Sequence, residues 1–468
     1  MIRIVGFSVI CILAASELFP LKAQESDEYQ TLAREILAEL VSIETTEGTG
    51  RTVEAAETLA RRLVSGGFSE EDIHILGPRP DLGNLVIRYR GDGTGGDPIL
   101  LTAHLDVVPA ESEAWSTDPF ELIELDGYLH GRGSVDNKAG ISAIVTNFLR
   151  WKAEGWVPNR DIIAVFTADE ETTFGSMEWL VTERRDLVDA EFALSTDGDL
   201  DIARDGVPLI FWVDAAEKEY ADYRITATGP GGHSSEPGPE NAIYSLARAV
   251  ARIAEYSFPV TLNDITREYF WQVAQDQPVE VAAQMRAVSA DPPDMGAAER
   301  LVTMSPLMNA QLRTTCVVIE VAGGTAANVL PQSASATINC RIFPGTDAEE
   351  VEATLKHVID DPSISLEVTY PAFASPPSFL TPAVRGALES VVQGMFPTAR
   401  IVPDLSTGAT ESSLLRNAGI PAYNLSGIFI PEGDDRTHGN DERVGIEAFH
   451  DAVEFWYRLV MRLASDSP

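Results

Sequence analysis

Positive charge is scarce in this sequence. Its 468 residues carry 34 lysines and arginines against 72 aspartates and glutamates, for a net charge of −38 at pH 7. A surface of that sign repels nucleic-acid phosphates and anionic lipid headgroups, so neither is expected as a partner. A solvated acidic surface is the ordinary reading of the excess, although some carboxylates could instead hold divalent cations. Cysteine is scarcer still, with only Cys11, Cys316 and Cys340. Long apolar runs are missing too: beyond the N-terminus no segment approaches the roughly 20 residues of a membrane span. No internal repeat or low-complexity tract interrupts the chain.

The N-terminus reads MIRIVGFSVICILAASELFPLKAQES, with Arg3 followed by an apolar run from Ile4 to Ala15. That run is short for a bilayer and fits a secretory signal peptide over residues 1–23. Cleavage is expected after Ala23, although Leu21 and Lys22 make the site imperfect. Ile10, before Cys11, argues against lipid attachment there. The expectation is a secreted or periplasmic protein with no membrane contact after signal removal. Cys316 and Cys340 remain, in the strand-like runs TTCVVIEV and SATINCRIF. An exported chain with an even count permits a cross-strand disulfide, with two buried thiols as the alternative.

Helical periodicity in LAREILAELVSI and TVEAAETLARRLVSGG opens the mature chain. The runs NLVIRYRG, PILLTAHLD, DIIAVFTADEE and EFALSTDGD then alternate with helical patterns, which indicates an α/β sheet covered by helices. Near residue 215 the pattern changes. YADYRITATG, ENAIYSLARAVARIAEY, TTCVVIEVAGG, SASATINCRIFPG, DAEEVEATLKHVIDD and ISLEVTYP follow the order β-α-β-β-α-β of a ferredoxin-like unit. Residues 255–312 lie outside that minimal unit and are helical in part. From about Pro371 the α/β alternation resumes. The expected architecture is an α/β domain over residues 24–214 and 371–468, interrupted by a smaller α+β domain over 215–370.

Polar groups recur where strands end. PILLTA leads into His104 and Asp106, AVFTA into Glu170 and Glu171, and FALST into Asp197. In open α/β sheets the binding crevice lies beyond the carboxyl ends of the strands. Asp136 sits in HGRGSVDNKAG before a helix, and His438 in the distant loop PEGDDRTHGNDERV. Singly, each has a dull explanation, as a helix-terminal carboxylate or a hydrogen-bonded histidine. Together, two histidines and several carboxylates can hold one or two divalent metals. Such a centre needs a base for the attacking water, which would give the adjacent Glu170 and Glu171 separate duties.

Other chemistries lack their residues. DGDLDIARDGVP opens like a calcium loop, but Ile202 stands where glycine is needed and Pro208 where glutamate is. GRGS and TGATES have no phosphate-loop lysine pattern, and Ser412 and Ser413 have no local nucleophile signature.

TAHLDVVPA, GRGSVDNKAG, TADEETTFGS, STDGD, GPGGHSSEP, NCRIFPG and THGNDERV, in that order, resemble the M20 metallopeptidase family. The resemblance spans about residues 30–465. It implies a two-zinc centre, with His104 and Asp197 on one ion, Glu171 and His438 on the other, and Asp136 bridging them. Cobalt or manganese could replace zinc. It further implies Asp106 orienting His104, Glu170 as general base, and a cis peptide at Asp136–Asn137. His233 would polarise the scissile carbonyl, while Arg341 and Asn328 would grip the substrate carboxylate. The TGATES loop would line the pocket, making Thr407 and Glu411 candidates for selectivity. The implied activity is hydrolysis, by a metal-bridging water, of a peptide or N-acyl amide next to a free carboxylate. Carboxypeptidase, aminoacylase and dipeptidase are variants of that chemistry. A homodimer through the inserted domain is also implied, unless residues 255–312 cover that surface. A binding protein that kept the fold without catalysis, and an acidic protein that merely buffers cations, are the readings of other classes.

Overall fold

The computed structural model describes residues 18–465 apart from residue 374, with side chains from residue 28 onward. The apolar run Ile4–Ala15 and Cys11 lie outside the described residues. No described helix is long and apolar enough to cross a membrane.

The chain is α/β. Among the described residues, ten strands build a mixed sheet whose centre holds Asn84–Tyr89, Ile162–Thr167, Ile99–His104, Phe192–Ser195 and Ala422–Asn424 in that spatial order. Ile99–His104 runs parallel to both Ile162–Thr167 and Phe192–Ser195. Strands buried on both faces should be apolar at every position, and ILLTAH and IIAVFT are buried throughout. Their side chains alternate between two cores. Ile99, Leu101, Ala103, Ile162, Ala164 and Phe166 meet the helices Leu18–Ser42, Thr52–Ser65, Lys138–Glu154, Pro382–Met395 and Ile446–Leu463. Leu100, Ile163 and Val165 meet Gly175–Glu183 and Ser412–Asn417 on the other face.

A second sheet contains Thr315–Gly323, Ser333–Ile342, Glu219–Thr228 and Ile364–Tyr370 in spatial order, all antiparallel. It has its own core, in which Ala221, Tyr223, Ile225 and Ile338 pack with Leu246 and Leu355 of the helices Ala242–Glu255 and Ala348–Ile359. Cys316 and Cys340 face each other across two of its strands and are joined by a disulfide, with Cα atoms 4.1 Å apart.

The helices Asp264–Val273, Val279–Ser289, Met295–Met304 and Pro306–Leu312 leave this small unit and return to the large sheet. Phe270, Met285 and Leu301 pack there against Ile210 and Val402 of the parallel strands Val207–Glu217 and Arg400–Ser406. Residues 264–312 thus widen the large sheet's helical cover rather than that of the four-stranded sheet.

Candidate metal centre and its cavity

Register explains the site's location. His104 pairs with Thr167, and Thr102 with Ser195, so the three central parallel strands end together at one edge. The residues that follow, Asp106, Glu170, Glu171 and Asp197, emerge side by side.

Asp136 lies at the meeting point of two histidines. Its Oδ1 is 2.8 Å from Nε2 of His104, and its Oδ2 is 3.0 Å from Nε2 of His438. Asp197 Oδ1 stands 3.9 Å from the His104 nitrogen, and Glu171 Oε2 stands 3.0 Å from the His438 nitrogen. Glu170 reaches the His104 and Asp197 side, with one ligand atom of each of the three within 4.8 Å of the others. The peptide bond Asp136–Asn137 is cis, and His438 sits at φ 60°, in the left-handed region.

Asp106 organises two neighbours at once. Its carboxylate oxygens accept hydrogen bonds from the backbone N–H of Glu170 at 3.1 Å and of Glu171 at 2.9 Å. The Nδ1 of His104 lies 3.0 Å from the Asp106 carbonyl and 3.6 Å from its carboxylate, which turns Nε2 toward Asp136.

Charge follows this geometry. Burial alone would hold His104 neutral, but the carboxylates of Asp106 and Asp136 carry its pKa well above the usual value. The hydrogen bonds of Asp136 and Glu171 lift His438 to about 10. Burial favours the protonated acid at Asp136, yet the two imidazoles hold its pKa well below the ordinary range. Burial and the neighbouring Asp197 push Glu170 well up, and burial raises Asp197 to about 7. Five carboxylates thus surround the two histidines.

This donor set fits two divalent cations. One carboxylate presents each of its oxygens to a different imidazole, and each imidazole has a further carboxylate beside it. Neutral imidazole nitrogens and carboxylate oxygens are the ligands that zinc takes. His104, Asp136 and Asp197 would hold one ion, and His438, Asp136 and Glu171 the other.

Two residues absent from the sequence reading fix the bridging loop. Glu442 is fully buried. Its carboxylate accepts from the backbone N–H of Gly133, Val135 and Asp136 at 3.1, 2.8 and 3.2 Å, and from Nη1 of Arg132 at 2.6 Å. Arg132 in turn donates to the Gly439 carbonyl at 3.0 Å. The loops carrying Asp136 and His438 are therefore tied together, aided by pairing of Arg443 with His130 in a small antiparallel sheet. The only sequence signal was position: Glu442 lies in THGNDERV and Arg132 in GRGS.

A cavity of about 490 Å³ opens over the centre. Asp136, Glu170, Glu171, Asp197 and His438 form one wall, and Lys218, Tyr220 and Arg341 another, with Phe174, Tyr370 and Phe373 as aromatic surface. Gly408, Ala409 and Thr410 of the TGATES loop also border it, whereas Thr407 and Glu411 do not. Glu411 lies beneath, its Oε2 accepting from the Thr167 hydroxyl at 2.6 Å. His233 and Asn328 are not brought to the cavity. His233 pairs with Val329 in an exposed two-stranded ribbon, and the Asn328 carbonyl accepts from the Ser234 N–H there.

Residues 100–462 match the family described as peptidase family M20/M25/M40. Human N-fatty-acyl-amino acid synthase/hydrolase PM20D1 is 29% identical over 390 residues, covering 81% of this chain and 77% of that protein. A probable carboxypeptidase S-like 2 of Dictyostelium discoideum is 28% identical over 389 residues, covering 81% of this chain and 74% of its own. Among solved structures, human carnosine dipeptidase 1 shares the fold, with a TM-score of 0.68 at 17% identity over 96% of this chain and 99% of that one.

Proposed function

The chain belongs to peptidase family M20/M25/M40, and we propose that it is an exported, two-metal hydrolase of N-acyl amino acids or small peptides that carry a free carboxylate. The observation that carries this reading is the make-up of the cavity: the candidate donors Asp136, Glu170, Glu171, Asp197 and His438 line the same space as Arg341. Zinc is the expected ion, with cobalt or manganese as substitutes. When bound, such ions polarise a carbonyl and lower the pKa of water.

The chain's own groups do the rest. Arg341 meets the substrate carboxylate with a planar fork, which sets the scissile amide over the centre. Glu170, beside His104 and Asp197 at the edge of the donor set, is placed to take the proton of the attacking water. It then returns that proton to the departing nitrogen. Asp106 holds the His104 ring and the backbone of the glutamate pair in place. Phe174, Tyr370 and Phe373 offer the acyl group an apolar surface, which favours N-acyl amino acids over polar dipeptides. The name of the human relative agrees with that preference.

His233 is read as a group supplied across a homodimer interface, because its exposed ribbon does not border the cavity of its own chain. Val317, Ile319 and Val321 on the edge strand Thr315–Gly323 are more than half exposed and support pairing with a second copy.

The zinc-loaded mature chain, assayed against N-acyl amino acids and dipeptides, should hydrolyse the former faster. A chelator should abolish turnover and added divalent ions restore it. Failure to hydrolyse any member of either set would overturn the reading.

A further inference from the structure

Lys218 has no part in the reaction as described above, yet it borders the cavity. It is the single residue between the strand Val207–Glu217 of the large sheet and the strand Glu219–Thr228 of the small one. The residue is 1% exposed. Its Nζ donates to the Arg313 carbonyl at 2.6 Å and lies 3.4 Å from the Thr315 hydroxyl. An ammonium has three donors, so these contacts leave capacity for one more.

What Lys218 lacks is an anion. Among the described residues no carboxylate forms an ion pair with it, although the chain holds 72 acidic residues against 34 basic ones. The charged group that acts on it is Arg341, of the same sign. Arg341 also forms no ion pair among the described residues, its guanidinium lying 4.7 Å from the centre of the Tyr220 ring. Burial, then Arg341, draws the pKa of Lys218 down to about 7, as expected of a buried ammonium without a counter-ion. Two basic groups that line one cavity without ion-pair partners are costly to hold charged together unless an anion enters beside them.

We propose that Lys218 is a second cation for the substrate's free carboxylate, acting beside Arg341. This inference rests on the carboxylate-bearing substrate proposed above. Arg341 supplies the planar fork, and Lys218 supplies a point charge held in place by the Arg313 carbonyl. A lysine that only pins the two sheets together would make the same two hydrogen bonds, so the test must read carboxylate recognition itself.

The experiment compares an N-acyl amino acid with its methyl amide on the zinc-loaded enzyme, for the wild type, Lys218→Met and Arg341→Met. Lys218→Met should raise KM for the acid so that kcat/KM falls about thirtyfold or more, the scale of losing one side of a desolvated charged contact. Its kcat should stay within about twofold and its kinetics on the amide should match the wild type, with metal content unchanged. Lys218→Gln, equally neutral, replaces it if Lys218→Met does not fold. Equal losses on acid and amide, or an unchanged KM for the acid, would overturn the assignment of Lys218. A wild type that hydrolyses acid and amide equally, or neither, would instead overturn the carboxylate-bearing substrate. A wild type that prefers the acid, with Lys218→Met keeping that preference, removes Lys218 alone.

Discussion

The two walls of the cavity are built on different principles. On the metal-ligand wall each candidate group is held by other groups: Asp106 by two backbone N–H donors, and the Asp136 loop by Glu442. On the facing wall Lys218 and Arg341 form no ion pair among the described residues, and His233 and Asn328 stand apart on an exposed ribbon. The first wall gathers the aligned ends of parallel strands and the two loops that carry Asp136 and His438. The second comes from the start of another sheet and from its neighbours. A donor set for a small ion must be complete before the ion arrives, whereas a substrate wall is completed by what it binds.

The sharpest way to break this comparison is to exchange roles within the first wall. Glu170→Gln should lose turnover by about 10²–10⁴-fold while keeping its metal, because shape survives and only the base is lost. Glu171→Gln should lose metal first, and excess zinc should partly restore its activity. Metal content beside turnover, at low and high zinc, separates the two. Metal loss or zinc rescue in Glu170→Gln would reverse the assignment.

A smaller effect is expected one layer further out. Glu442→Gln keeps one oxygen acceptor but gives up the anion that four donors share, so metal affinity should fall about 10–100-fold, the usual scale for groups behind the ligands. A competition titration with a chromophoric chelator reads this directly. Unchanged affinity would mean that the loop holds its shape without Glu442.

The smallest effect on chemistry should come from the second sheet. Cys316→Ser/Cys340→Ser removes the closure of a loop with sequence separation 24, worth about 3 kcal/mol in the chain-entropy account. Thermal unfolding of the small unit should shift downward while turnover stays within about twofold. A collapse of turnover with metal retained would show that the small sheet's rigidity matters to the reaction.

Much of this arrangement is legible in the sequence where the physics is local. The apolar runs ending in His104, Thr167 and Ser195 disclose parallel strands and the edge where they finish, because burial on both faces leaves little choice of residue. The disulfide follows from two cysteines in adjacent strand-like runs. What stays hidden is set by distant pairing. Arg132 and Glu442 are 310 residues apart and give no sign of each other. The helices over 264–312 show their periodicity but not the surface they cover, since an apolar face fits any other. Lys218 looks like an ordinary strand-end lysine until burial and the Arg313 carbonyl are seen around it. His233 and Asn328 stand in recognisable motifs, yet local pattern does not reveal which cavity, their own or a second copy's, they would serve.

The grip of Glu442 bears on which ion the centre selects. A flexible ligand loop would shrink or spread to suit ions of different radius and would discriminate little among them. Here three consecutive-region amides and a guanidinium fix the segment that carries Asp136, and Arg132 extends the same hold to the turn beside His438. The gap between the donors is thereby set by the fold. An ion with longer bonds, such as calcium, would have to move a buried, fully hydrogen-bonded loop to enter, while zinc, cobalt and manganese would meet it closer to its resting shape. Size exclusion by a stiff frame, more than the affinity of any one ligand, would then be the source of any selectivity.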